Sequence, residues 1–210
     1  MKLYYFDFYA RAEPIRMILT HAKVPFENII VTQEEFKKQR EEGKLEFGKL
    51  PAIEHEGKFY TETMSILRYI GKNHGYYPKE AGPAWRVDSI IDALVDIMNA
   101  ITNAYFIPDE AAKAEAMKTI FANAVANWLK VMDKILTNNA NPNFLVGESL
   151  TIADFALGAF VNSLFLNEGN AHYEQHKAVF DQHEPLKKWA ANFNTVMADY
   201  LAARPKPRPF

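Results

Sequence analysis

The sequence predicts an α/β unit followed by an all-α unit, and three observations carry that reading. Short aromatic and β-branched runs bounded by turn residues fall before residue 76 and largely vanish after it. Gly and Pro cluster from Asn73 to Pro83, the composition of a linker between units. Beyond Pro83, apolar residues return with a helical period: Val87, Ile90, Ile91, Leu94, Ile97, Met98 and Ile101 follow an i, i+3, i+4, i+7 pattern. The expected units are residues 1–76 and 84–210.

Composition narrows the function classes. The chain has 210 residues, enough for one large core or two small ones, and is 49% hydrophobic and 24% charged, as ordinary globular proteins are. Its formal net charge of -2 supplies no drive toward nucleic acid or a membrane surface. Without cysteine the fold uses no disulfide, and any catalytic thiol must arrive with a substrate or cofactor. No apolar run approaches the ~20 residues of a membrane span, and the opening Met1–Asp7 turns acidic too soon for a signal peptide. A soluble, cytoplasmic protein is expected.

Taken in order, Leu3–Phe8 reads as a buried strand. Glu13-Pro14 opens a helix, because Pro is favoured at the first helical position and Glu in the first turn; Ile15, Ile18 and Leu19 form its apolar face. Phe26–Val31 is a second strand. Thr32 and Glu35 offer a capping box, although the polar run Phe36–Lys44 promises an exposed helix or loop and no core. Ala52-Ile53 and Phe59-Tyr60 are strands joined through Glu56-Gly57 as a hairpin. Pro51 stands at the mouth of the first of them, where it owes the ladder no hydrogen bond and where a cis bond is admissible. Thr63 is placed to cap a helix that stops near Gly71. The resulting β-α-β-α-β-β-α order is thioredoxin-like.

In the second unit a helix is expected from Ala84 to about Tyr105, with Pro108 interrupting it. Asp109-Glu110 starts the next, whose face is read as Met117, Phe121, Ala124, Trp128, Met132 and Ile135. Thr151 and Asp154 form a second capping box, with Leu150 and Phe155 as its hydrophobic staple. Helices follow over Tyr173–Phe180 and Pro185–Leu201. Recurrent Pro keeps the tail Arg204–Phe210 from continuing the last one.

The stretch Phe47–Tyr69 is the most informative. A free strand edge beside a helix N-terminus suits a peptide-like ligand that carries a carboxylate. Leu50-Pro51 and Glu62-Thr63 closely resemble the second half of the thioredoxin-like domain of glutathione transferases, and the Leu150–Phe155 motif resembles the buried cap of that family's helical domain. Tyr5-Phe6 and Arg11-Ala12-Glu13-Pro14-Ile15-Arg16 look like the first strand and helix of the sigma, mu and pi types, closest to the sigma class with its glutathione-dependent prostaglandin D synthases.

The resemblance implies a glutathione S-transferase, with glutathione as co-substrate and small apolar electrophiles as partners; prostaglandin isomerisation, or a non-catalytic structural role on the same fold, are the alternatives. It implies Tyr5 as the catalytic hydroxyl, which alternation alone leaves open against Tyr4, and Arg11 as the residue that tunes the thiolate. It implies Lys49, Leu50, Pro51, Glu62 and Thr63 along the glutathione, Phe36 and Arg40 at its glycyl carboxylate, and Asp96 reaching the γ-glutamyl ammonium in a neighbouring subunit. Phe8, Tyr9, Met98 and Tyr105 are candidates for the electrophile pocket. A homodimer is implied, keyed by Phe47. Asp88, Asp92 and Asp96 repel one another at helical spacing, so some partner is expected, the plain alternative being a solvated face. His172 and His176 lack further ligands at motif spacing, so no metal site is expected.

Overall fold

The computed structural model describes residues 1–205 and 208. Four strands form one mixed sheet in the order β2-β1-β3-β4, built from β1 (Lys2–Tyr5), β2 (Glu27–Ile30), β3 (Ala52–His55) and β4 (Lys58–Thr61). β1 runs parallel to β2 and antiparallel to β3. Helices α1 (Glu13–His21), α2 (Gln33–Glu41) and α3 (Thr63–His74) complete the expected order. α1 buries Ile15, Met17, Ile18 and Leu19, whereas α2 buries nothing, in keeping with its polar composition. Thr32 and Glu35 make their reciprocal cap.

The first two strands are shorter than the sequence suggested. β1 ends at Tyr5 because the chain then turns, with Phe8 N–H donating to the Phe6 carbonyl at 2.7 Å. β2 spans only Glu27–Ile30. The hairpin forms as expected: His55 pairs with Lys58, and Glu56 and Gly57 between them both take positive φ, 52° and 74°. Two corrections concern α3. Its N-cap position is Glu62, so Thr63 lies inside the first turn. It also runs past Gly71 to His74 and ends on Gly75 at φ 81°. Gly71 is a packing residue: a Cβ there would stand 2.5 Å from the Ile152 side chain.

The helical part consists of α4 (Ala81–Tyr105), α5 (Glu110–Ile120), α6 (Ala126–Asn138), α7 (Ile152–Leu164), α8 (Tyr173–Phe180), α9 (Glu184–Val196) and α10 (Ala198–Ala203). α4 starts three residues before Ala84, which shortens the expected linker. α9 and α10 replace the single expected helix over Pro185–Leu201; Met197, at φ -98° and ψ 14°, breaks it. α7 is buried along its whole length and forms the centre of this part. It also packs against α1 and α3, so one hydrophobic cluster runs from Leu3 to Met197.

Between α5 and α6 a π-turn spans Phe121–Val125. The turn there is wider than an α-helical one. Trp128 and Met132 are buried on the face the period assigns them, together with Val125, Leu129 and Leu136, while Ala124, assigned to the same face, is exposed.

Asp154 at the start of α7 is fully buried and does more than close its capping box. One carboxylate oxygen accepts from Thr151 N–H (2.8 Å) and Thr151 Oγ1 (3.0 Å). The other accepts from Leu145 N–H (2.9 Å) and from the Trp189 indole (3.0 Å), which ties the preceding loop and α9 to α7. Of the expected non-helical tail, Arg204, Pro205 and Arg208 follow α10 outside any helix; Lys206, Pro207, Pro209 and Phe210 lie outside the described residues.

Candidate active site

Strand register builds the site. Tyr4 pairs with Ala52, and Ala52 with Thr61. One step further along each strand sets Tyr5, Pro51 and Glu62 side by side across one end of the sheet. With strands about 4.8 Å apart, Tyr5 to Glu62 spans about 10 Å, the length of an extended tripeptide. The Leu50-Pro51 peptide is cis, and both residues precede the ladder, which begins at Ala52.

The two adjacent tyrosines have different surroundings. Tyr4 Oη donates to Glu54 Oε2 at 2.6 Å, and burial together with that carboxylate pushes its pKa up to about 12. Tyr5 is buried at 7% exposure. Its hydroxyl oxygen accepts the backbone N–H of Arg11 at 3.4 Å, which leaves the phenol proton free to be donated. Burial raises the Tyr5 pKa; the Arg11 N–H and the charges of Arg11 and Arg16 pull it back. A buried phenol in this setting stays protonated at neutral pH and acts as a donor.

Arg11 sits in a single 3₁₀ turn, Ala10–Ala12, and its Nη2 donates to Asn99 Oδ1 of α4 at 2.8 Å. That bond fixes the guanidinium beside Tyr5 and brings Met98 and Asn99 to the same end of the sheet. Asn99 carries no sequence signal of its own. Arg16 stands in the motif quoted above, yet its work is visible only in three dimensions: Nη1 donates to Glu13 Oε2 (3.0 Å), the Phe8 carbonyl (3.0 Å) and the Tyr9 carbonyl (3.3 Å), and Nε to Asn28 Oδ1 (2.8 Å).

At the far end of the sheet edge, Glu62 takes φ 67°, ψ 110°, a conformation a non-glycine residue holds only when its surroundings enforce it. No side-chain cap bonds the N-terminus of α3, where Thr63 lies buried in the first turn, so the helix's leading N–H groups are left without a capping side chain. Phe36 packs edge-on against Phe6 at 5.3 Å, and the Arg40 guanidinium lies 5.5 Å from the Phe36 ring. The same guanidinium would approach a Cβ on Gly48 to 3.3 Å, so α2 is brought against the loop that carries exposed Lys49.

Of the pocket candidates, Phe8 is 37% and Tyr105 46% exposed, and Met98 is half-buried. Tyr9 is the exception. It is 1% exposed and donates its hydroxyl to the Pro205 carbonyl, so it lines no open pocket. The acidic row on α4 has its cation: Arg68 donates to Asp88 at 2.8 Å and to Asp92 at 3.3 Å, and Tyr77 Oη donates to Asp88 at 2.7 Å. Asp96 is exposed. His176 stacks on Phe121 with ring centroids 4.4 Å apart, and no group of three metal-ligating side chains occurs among the described residues. No described helix is long and apolar enough to cross a membrane.

Models of the glutathione S-transferase N-terminal and C-terminal domains match residues 1–72 and 95–204. The chain belongs to the glutathione S-transferase family. It is 36% identical to glutathione S-transferase A4 of Mus musculus over 158 residues, which is 74% of this chain and 70% of that one. It is 32% identical to glutathione S-transferase 2 of Caenorhabditis elegans over 183 residues, 85% and 96% of the two chains. Among solved structures, the glutathione S-transferase of Ascaris lumbricoides superposes with a TM-score of 0.84 at 26% identity, covering 100% of this chain and 98% of that one. Membership makes the chain a transferase enzyme with glutathione as its co-substrate. The thioredoxin-like sheet and the helical part after it are the two halves of that fold.

Proposed function

We propose that this glutathione S-transferase conjugates the glutathione thiol to small apolar electrophiles, with the Tyr5 hydroxyl stabilising the thiolate. The observation that carries the reading is the alignment of Tyr5, Pro51 and Glu62 across one sheet end, with the Tyr5 proton free to be donated. Glutathione lies along that edge, its cysteinyl backbone paired with Leu50 and its γ-glutamyl carboxylate on the Thr63 hydroxyl and the uncapped N-terminus of α3. Glu62 takes the α-ammonium, with Asp96 from a neighbouring subunit. Lys49, Phe36 and Arg40 hold the glycyl end.

A thiol with an ordinary pKa of about 8.5 is mostly protonated at neutral pH. A hydrogen bond from Tyr5 favours the anion, and the Arg11 charge beside it acts in the same direction. The thiol proton passes to solvent. The sulfur then attacks the electrophilic carbon, a C–S bond forms, and the leaving group departs with its electron pair. Phe8, Met98 and Tyr105 supply the apolar wall. Residues 1–76 are the glutathione-binding unit, and residues 84–210 carry much of the electrophile pocket. The motifs Tyr5-Phe6 and Arg11–Arg16 favour the sigma type, and the absence of cysteine suits a cytoplasmic setting. A spectrophotometric assay with glutathione and an aryl halide tests the reading; no conjugation above the uncatalysed rate refutes it.

Two further expectations follow. Glu62→Ala leaves the fold intact and weakens glutathione binding, since a charge-assisted hydrogen bond is lost; unchanged affinity by calorimetry removes Glu62 from the site. Phe47, 59% exposed on the loop before Lys49, is the aromatic key of a homodimer. Truncating such an anchor costs about 2 kcal/mol or more, so Phe47→Ser shifts the sedimentation profile toward monomer. A wild-type monomer at micromolar concentration contradicts the dimer.

A further inference from the structure

Arg11 and Arg16 both come close to Tyr5. The Arg11 N–H reaches its hydroxyl at 3.4 Å, and the Arg16 guanidinium carbon stands 6.0 Å from its ring centroid. Both charges counter the rise that burial imposes on the Tyr5 pKa. The two side chains are held differently. Arg16 is buried and ion-paired: its Nη1 meets Glu13 Oε2 at 3.0 Å, a carboxylate that Arg204 shares. Arg11 is half-buried, and among the described residues no carboxylate is in ion-pair contact with it. Its side-chain anchor is the amide of Asn99, which accepts from Nη2 at 2.8 Å. A guanidinium only donates, so the amide must turn its oxygen to Arg11.

The neutrality of that anchor contrasts with its setting. Asp88, Asp92, Asp96 and Asn99 follow one another at helical spacing and form one stripe of α4. The stripe is acidic up to Asp96 and becomes neutral at the residue that meets Arg11. Asp96 itself is exposed one turn earlier, and Asp7, in the loop after β1, pairs with Arg208. A carboxylate at position 99 would hold the guanidinium more tightly, but its negative charge would offset that of Arg11. An amide holds the side chain in place and offsets nothing.

We propose that Asn99 is a positioning residue of the reaction: it anchors Arg11 beside Tyr5 and, being neutral, leaves the whole charge of Arg11 to favour the glutathione thiolate. Its effect runs through Arg11. The inference rests on the reading of Tyr5 and Arg11 as the groups that stabilise the thiolate.

The test titrates the ultraviolet absorbance of the bound thiolate and measures kcat/KM against pH, the glutathione KM and the Tm. Asn99→Asp is the decisive exchange, because it keeps an oxygen opposite Nη2 and changes the charge at constant shape. It is expected to raise the thiolate pKa by about half a unit to one unit and to lower kcat/KM near neutral pH by about three- to tenfold. The deficit should close as pH rises past the shifted pKa, with the glutathione KM and the Tm held. A purely structural anchor predicts the opposite, since the stronger ion pair would leave titration and rate unmoved or improved. Asn99→Ala keeps the neutrality and removes the anchor; it should also raise the thiolate pKa. In an Arg11→Ala background the same exchange should add nothing. An unmoved titration in Asn99→Asp overturns the proposal, as does a wild-type titration in Asn99→Ala or a further shift in the double variant. Tyr5→Phe separates the two levels: if it too leaves the titration unchanged, the thiolate reading beneath fails; if it alone shifts the titration, only the role of Asn99 fails.

Discussion

Replacing Tyr5 by Phe should lower conjugation near neutral pH by roughly ten- to a hundredfold while barely changing stability. The substitution removes one hydroxyl and keeps the ring, and the ring carries the packing: Tyr5 is buried against Phe6, with centroids 5.8 Å apart, and belongs to the main hydrophobic cluster. The Arg11 N–H loses its acceptor, a 3.4 Å contact with little to lose. The thiol, in contrast, loses the donor that favours its ionised form. Its bound pKa should rise by about one to two units, equivalent to about 1.4 to 2.7 kcal/mol. The sign fixes the pH profile: the deficit is largest below the wild-type thiol pKa and narrows as pH rises through the mutant value, because the thiol then ionises unaided. Glutathione affinity should fall little, since the proposed binding mode holds most of the ligand through the sheet end and the α3 N-terminus. Coincident thiolate titrations and equal rates in the two proteins would return Tyr5 to a core role and make Tyr4 the next residue to examine, although its proton is already given to Glu54.

The largest effect on stability is expected at Asp154. Asp154→Ala strands Leu145 N–H, Thr151 N–H and the Trp189 indole in a region without water access. Each buried, unsatisfied donor costs about 1–3 kcal/mol. Even with partial relaxation a loss of about 3 kcal/mol or more is expected, which for a chain of this size lowers the Tm by about 6–12 °C. Asp154→Asn is no remedy, because its amide NH₂ must face at least one N–H donor. Far-ultraviolet melting curves of the three proteins check this. A shift of less than about 2 °C for Asp154→Ala would show that the loop before α7 and α9 are held by packing alone.

What the sequence made legible is what depends on neighbours along the chain. Both capping boxes, the Glu56-Gly57 hairpin and the limits of α8 are local patterns, and each appears where it was read. Gly71 reads as a helix stop in the sequence because Gly has two uses; only the approach of Ile152 reveals that this one is a contact, with Gly75 as the actual stop. The π-turn escaped because a single inserted residue leaves the apolar period almost intact on either side. Of the candidate site residues, Tyr5 with Arg11 and Glu62 with Thr63 lie across the same end of the sheet. Asn99 and the burial of Tyr9 depend on partners far along the chain, Asn99 on Arg11 and Tyr9 on Pro205, and no spacing rule encodes such pairs; the partners of Arg16 are nearer, but two of them are backbone carbonyls of the loop after β1, which carry no residue-type signal.

The hairpin turn also acts as a ruler for a site it never touches. Because His55 pairs with Lys58 across only Glu56 and Gly57, the count of residues from Pro51 to Glu62 is fixed by the turn and not by the residues at the site. One residue added there would slide β4 by about 3.3 Å against β3 and turn its side chains to the opposite faces. Glu62 and the start of α3 would move with it, out of step with Pro51 and Tyr5. In the proposed binding mode, the length of ligand that fits across this end of the sheet is therefore set at the opposite end of the strands, by Glu56 and Gly57.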